Sequence, residues 1–220
     1  MIRGMIFDVD GTLLDSSYVW EDAGARYLKK LGIAAEEGLG RKLFTMTLED
    51  GARYLKDTYH LPQEAEEVLE GVLQVVEKFY YHEAQLKEGA FDFLRRLHEE
   101  GIPMVIASSS KKEYIEAAFS RLGVLQYFKK VFTCSEAGAG KEQPRIFFQA
   151  ADCLGAHPEE IWVAEDGLYA MKTAAAAGFR VLGLYDEGSR EDWEEIRRAA
   201  DLALENLSGF DLFWERAAAR

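Results

Sequence analysis

The chain has 220 residues, 48% of them apolar and 30% charged, which is enough for one sizeable core and a second small module. Its 26 basic and 39 acidic residues leave a formal net charge of −13, and such a surface repels nucleic acid and anionic membranes, so neither is expected as a partner. No apolar run approaches the length of a membrane span, and the N-terminus runs directly into the first apolar segment with no room for a signal peptide, so a cytoplasmic protein is expected.

The first predicted element is a strand over residues 2–8, whose apolar run ends in Asp8-Val9-Asp10-Gly11-Thr12. Two carboxylates at the end of a buried strand are costly unless a cation or a proton offsets them. Two residues apart on an extended chain, they point the same way. One can then hold a metal and attack a substrate while the other carries a proton. A helix cap or an Asx-turn would put aspartates in the same place.

From about residue 16 to residue 86 no strand is predicted. Helical patterns run over 23–31, 48–59 and 65–80, the last with Val68, Val72, Val76 and Tyr80 at i+4 spacing. A helical module inserted directly after the aspartate turn is a candidate lid. Trp20, close behind that turn, is the expected substrate contact. Arg53, Lys56 and Tyr81 are further candidates, which helix packing or surface exposure would equally explain.

Strands and helices alternate from there on. Near-continuous apolar runs predict strands over 103–107, 131–134, 161–164 and 181–185. Helices are marked by Phe91, Leu94 and Leu97, by Ile115, Ala118, Phe119 and Leu122, and by the segments 149–154 and 171–177, with Gly178 as a C-cap. This alternation predicts an α/β fold with a doubly wound, mainly parallel sheet.

Three of these strands end in polar groups. The second ends in Ser108-Ser109-Ser110, and Ser110 with Glu113 forms a capping-box pattern. Hydroxyls and N–H groups there suit phosphate, Ser108 best by its nearness to the strand. Gly138-Ala139-Gly140-Lys141 follows the third strand. It is not a P-loop, because Ser135 and Glu142 stand where glycine and Ser or Thr are required. Lys141 can offset charge at Asp8 or be a surface lysine. The fourth strand ends in Glu165-Asp166-Gly167, hard oxygen ligands that suit Mg²⁺ or acids favoured at a helix N-terminus. In a doubly wound sheet these strand ends converge on one crevice. Cys134 and Cys153 read as small buried thiols, the four histidines as incidental, and the acidic clusters as solvated helix faces.

These four segments, in this order, resemble the motifs of the haloacid dehalogenase superfamily, and the helical insertion resembles the cap of the subfamily that includes phosphoglycolate phosphatases and β-phosphoglucomutases. The resemblance implies a Rossmann-like core over 1–15 and 87–220 and an α-helical cap domain over 16–86. It implies a Mg²⁺-dependent phosphomonoesterase acting on a small phosphorylated metabolite, with Asp8 as the nucleophile that forms an aspartyl-phosphate and Asp10 as general acid/base. Ser108, Ser109, Lys141 and Gly11 would bind phosphate, and Asp8, Asp10, Glu165 and Asp166 the metal, Asp166 directly. Departures stand at Glu142, Gly167 and Ala170, where the family often has Pro, Ser and Gly. They leave a non-catalytic phosphometabolite-binding protein as one alternative. A sugar-phosphate mutase is the other. It usually carries a histidine soon after the first motif and an arginine-serine element early in the cap, where this chain has Trp20 and Thr45-Met46-Thr47-Leu48-Glu49-Asp50. With no apolar stripe left over, a monomer is expected.

Overall fold

Apolar runs and turn residues set the elements of this chain. The computed structural model describes residues 2–44 and 46–218, so Thr45, named above, lies outside the described residues. In chain order the elements are β1 (Gly4–Phe7), β2 (Leu14–Asp15), α1 (Ser17–Lys30), α2 (Leu39–Phe44), α3 (Leu48–Tyr59), α4 (Ala65–His82) and β3 (Gln85–Leu86). There follow α5 (Ala90–Glu99), β4 (Met104–Ser108), α6 (Lys112–Arg121), β5 (Phe128–Thr133), α7 (Cys134–Ala137) and α8 (Arg145–Leu154). The chain finishes with β6 (Ile161–Glu165), α9 (Leu168–Ala176), β7 (Arg180–Leu184), α10 (Trp193–Ala199), β8 (Leu202–Leu204) and α11 (Phe210–Ala218). Two compact units result, one of Met1–Asp15 with Gln85–Arg220 and one of Ser16–Ala84.

The larger unit carries a six-stranded sheet in the order β5-β4-β1-β6-β7-β8, with every neighbouring pair parallel. This is a doubly wound, Rossmann-like α/β sheet. Its order reverses at β1, so β4 and β6 flank the strand that leads to Asp8, and ligand sites form beyond the C-terminal ends at such a switch point. Side chains alternate across the sheet. Ile6, Val105, Val163 and Val181 pack on one face with Ile146, Phe147, Met171 and Ile196 from α8, α9 and α10. On the other face Phe7 meets Phe93 of α5 edge-on at 6.2 Å, and Trp162 meets Phe213 of α11 at 5.3 Å. A separate antiparallel pair joins Leu14 to Leu86 and Asp15 to Gln85.

The smaller unit is helical. Tyr27 and Leu28 of α1, Leu39 of α2, Ala52 and Leu55 of α3 and Val68 of α4 form its buried core. Thr47 caps α3 by accepting from the Asp50 N–H at 3.1 Å, and Glu64 with Glu67 forms a capping box at the start of α4. Gly71 lets α4 approach α1, because a Cβ there would fall 2.2 Å from Tyr27 Cε2. Trp20, half-buried, lines an apolar cavity of about 360 Å³ inside this unit. Arg53 pairs with Asp50 and Lys56 with Glu64, so both are engaged within the same unit.

Several expectations need correction. Helix α6 begins two residues beyond Ser110, with Lys111 as its N-cap and no side-chain capping bond, so the capping box is not formed. Cys134 is half-buried, packed against the core beside Ala137, and Cys153 is exposed on α8, so neither is a fully buried thiol. β5 starts at Phe128 rather than 131, since its first lysines, Lys129 and Lys130, are exposed on a sheet edge. Gly178 lies one residue past the C-cap of α9, which is Ala177. Among the described residues, no helix is long and apolar enough to cross a membrane.

Candidate active site

The site grows from the turn after β1. Asp8 is 7% exposed, and its N–H donates to the Ala164 carbonyl of the neighbouring β6 at 3.0 Å. The chain then folds back on itself: the N–H groups of Leu13 and Leu14 donate to the Val9 carbonyl at 2.9 and 2.8 Å, and Gly11 donates to the Leu14 carbonyl at 3.0 Å. Gly11 has φ +84°, and a Cβ there would lie 2.5 Å from Asp166 Oδ2. Only glycine meets both demands. Its N–H is consumed by the turn and its carbonyl accepts from Lys87, so the expectation that Gly11 binds phosphate is corrected: its role is to let the turn pass Asp166. Thr12, fully buried, donates from Oγ1 to Asp166 Oδ1 at 3.1 Å.

Lys141 is brought inward rather than left on the surface. A helical turn, α7, closes at Gly138, and Lys141 follows it, 2% exposed. Its Nζ donates to Asp8 Oδ1 and, at 2.7 Å, to Glu165 Oε2. Burial alone would lower the Lys141 pKa, but Asp8 and Glu165 outweigh it and hold the ammonium well above the usual lysine range. Glu165 also accepts from the Gly167 N–H at 3.1 Å.

Ligand atoms of Asp8, Glu165 and Asp166 lie within 4.8 Å of one another. The Lys141 ammonium bonds two of these three carboxylates, Asp8 and Glu165, and the excess of negative charge shows in the proton affinity of Asp8 and Asp166. Burial, then Glu165 and Asp10, push Asp8 up to about 7 against the pull of Lys141. Burial, then Glu165, Asp8 and Asp186, raise Asp166 well above the usual carboxylate range, against the Thr12 hydroxyl. A cluster of hard oxygen donors short of positive charge fits a divalent cation such as Mg²⁺.

Asp10, expected among the metal ligands, does not bring its carboxylate into this cluster. It turns instead to the end of β4, where Ser110 Oγ donates to Asp10 Oδ2 at 2.5 Å. The two aspartates therefore have different partners, Lys141 for Asp8 and Ser110 for Asp10. Ser108, fully buried, accepts from the Ser110 N–H at 3.0 Å. Ser109 is exposed, with Oγ 3.5 Å from Cys134 Sγ. Ser110 and Thr12 were not among the expected site residues. Their spacing resembles caps and turns, and only the fold brings them to carboxylates.

Known proteins are similar to this chain in sequence and in fold. Residues 2–178 match the family described as haloacid dehalogenase-like hydrolase. A validoxylamine A 7'-phosphate phosphatase of Streptomyces hygroscopicus subsp. limoneus is 26% identical, over 94% of this chain and 95% of its own. Hexitol phosphatase A of Escherichia coli is 27% identical, over 93% and 91%. The crystal structure of a putative beta-phosphoglucomutase from Thermotoga maritima superposes with a TM-score of 0.84 at 20% identity, covering 97% of this chain and 99% of that one. The chain belongs to the haloacid dehalogenase-like hydrolases.

Proposed function

We propose that this protein is a phosphatase that hydrolyses a small phosphorylated metabolite through an aspartyl-phosphate on Asp8. The observation that carries this reading is Lys141, buried and bonded to both Asp8 and Glu165 beside Asp166. A nucleophilic carboxylate, a fixed cation and a set of hard ligands meet at one point. The names of the similar phosphatases, acting on a validoxylamine phosphate and on hexitol phosphates, support a sugar-like phosphate ester as substrate.

Asp8, Glu165 and Asp166 would hold Mg²⁺, which when bound supplies positive charge to the nucleophile's surroundings and to the phosphoryl oxygens. Asp8 attacks phosphorus and the ester oxygen departs, taking a proton from the Asp10 carboxyl. Asp10, now a carboxylate, accepts a proton from water, and the resulting hydroxide attacks the aspartyl-phosphate. Inorganic phosphate leaves and Asp8 is regenerated. Ser110 holds Asp10 by one of its oxygens and aims the other. Lys141 and the Ser108 hydroxyl stabilise the transferring oxygens, in a reaction where positioning and charge do most of the catalysis.

The test is phosphate release from a panel of sugar phosphates, phosphoglycolate and nucleotides, with Mg²⁺ and with chelator. Activity is expected only with the metal and is expected to vanish in Asp8→Asn. Turnover retained by that variant overturns the assignment of the nucleophile. The mutase alternative predicts instead isomerisation of β-glucose 1-phosphate that depends on a bisphosphate primer. Trp20, where such mutases usually carry histidine, speaks against it.

A further inference from the structure

Lys87 lies immediately after β3, where the chain re-enters the larger unit. It is a half-buried cation outside the catalytic cluster, with its side chain 15% exposed. Its ammonium makes three short bonds: to the Gly11 carbonyl at 2.7 Å, the Tyr185 carbonyl at 2.8 Å and Asp186 Oδ2 at 2.7 Å. All three of its protons are thereby used. Asp186 is 4% exposed and anchored in turn by the Gly188 N–H on Oδ1 at 2.9 Å. The backbone of Lys87 is fixed as well, since its N–H donates to the Leu13 carbonyl at 2.9 Å.

The Gly11 carbonyl belongs to the peptide that joins Gly11 to Thr12, and the Thr12 hydroxyl bonds Asp166. We infer that Lys87 is a positioning residue: by clamping the Gly11–Thr12 peptide, it sets the Thr12 hydroxyl and through it the orientation of Asp166, and so tunes affinity for the divalent cation. Asp186 is the counter-charge that makes an ammonium tolerable at this half-buried point. A bare lysine between two carbonyls would be costly to desolvate, and a lysine serving only Asp186 would not need the Gly11 carbonyl. The inference rests on the reading of Asp8, Glu165 and Asp166 as the metal site.

The experiment separates the structural part of the pair from its positioning part. Lys87→Met alone leaves the Asp186 charge buried without its lysine and can unfold the protein. The informative variant is therefore the double substitution Lys87→Met with Asp186→Asn, compared with Asp186→Asn and the wild type. Urea midpoints report the fold, and calorimetric titration with MgCl₂ alone reports affinity without any turnover. We expect the double variant to unfold near the wild-type midpoint and to bind Mg²⁺ at least about tenfold more weakly, the scale on which groups behind a metal's ligands act. Asp186→Asn, which keeps the Lys87 bonds to both carbonyls, is expected to bind within about threefold of wild type on the same scale. A stable double variant with wild-type Mg²⁺ affinity overturns the role of Lys87 while leaving the metal site intact. A wild-type protein that binds no Mg²⁺ overturns the metal reading and this inference together.

Discussion

At the scale of single residues, the cluster around Asp8 is governed by a shortage of positive charge. A carboxyl whose pKa in the folded state lies above its unfolded value binds a proton more readily when folded. Stability therefore falls as pH rises between the two values. For Asp8 that window runs from its ordinary 3.8 up to about 7, and the penalty is fully present above it. A divalent cation competes with those protons, so Mg²⁺ is expected to raise the melting temperature more at pH 8 than at pH 5. Equal shifts at both pH values would mean that the metal does not bind these carboxylates. Lys141→Met removes the one ammonium that Asp8 and Glu165 share. Breaking a buried ion pair in this way costs about 3–5 kcal/mol. A loss of that order is expected in urea melts without metal, together with loss of phosphate release. Ser110→Ala removes a bond of 2.5 Å to Asp10. A hydrogen bond to a charged group contributes about 1.5–3 kcal/mol, so a fall in kcat of about tenfold or more is expected, with KM little changed.

At the scale of elements, close approach is set by single side chains. Gly71→Ala on α4 would gain about 1 kcal/mol of helix propensity, but the new Cβ would fall 2.2 Å from the buried ring of Tyr27. Overpacking of a well-filled core costs about 1–3 kcal/mol. A net loss is expected, read as a lower urea midpoint, and a gain would show that α1 yields to α4 at little cost. The same local logic explains what the sequence made legible. Helix α3 was readable from 48 to 59 because Thr47, Glu49 and Asp50 mark its start and its apolar residues recur on one side. The central strands were readable because both of their faces are covered, so each is one apolar run. Strand β8, with three residues, and the pair β2–β3, with two each, are too short to leave a period. In the site, Asp8, Glu165 and Asp166 were legible as acids beyond apolar strands, and Lys141, which taken alone reads equally as a surface lysine, only through the family resemblance. Ser110, Thr12 and Lys87 were not, because their partners lie 100, 154 and 99 residues away in the chain and no local pattern records them.

At the scale of the whole molecule, the helical unit is inserted between two residues that the larger unit already holds together. Asp15 and Gln85 are antiparallel partners, and the chain leaves the larger unit after the first and returns at the second. A hairpin of two such strands can be closed by a two-residue Asn-Gly turn. The six-stranded sheet, both of its helical faces, and every bond of Asp8, Lys141, Glu165 and Asp166 described above lie within the larger unit. Replacing residues 16–84 by Asn-Gly is therefore expected to leave a chain that unfolds in one cooperative transition and still binds Mg²⁺, as circular dichroism and calorimetric titration can establish. Loss of activity towards sugar-like phosphates, with turnover of a minimal donor such as acetyl phosphate preserved, would assign substrate selection to the inserted helices and the phosphoryl chemistry to the sheet. A deleted chain that fails to fold would show the opposite dependence: the strand pair would be too short to hold the Asp8 turn in place, and the helical unit would be part of what makes the catalytic loop rigid.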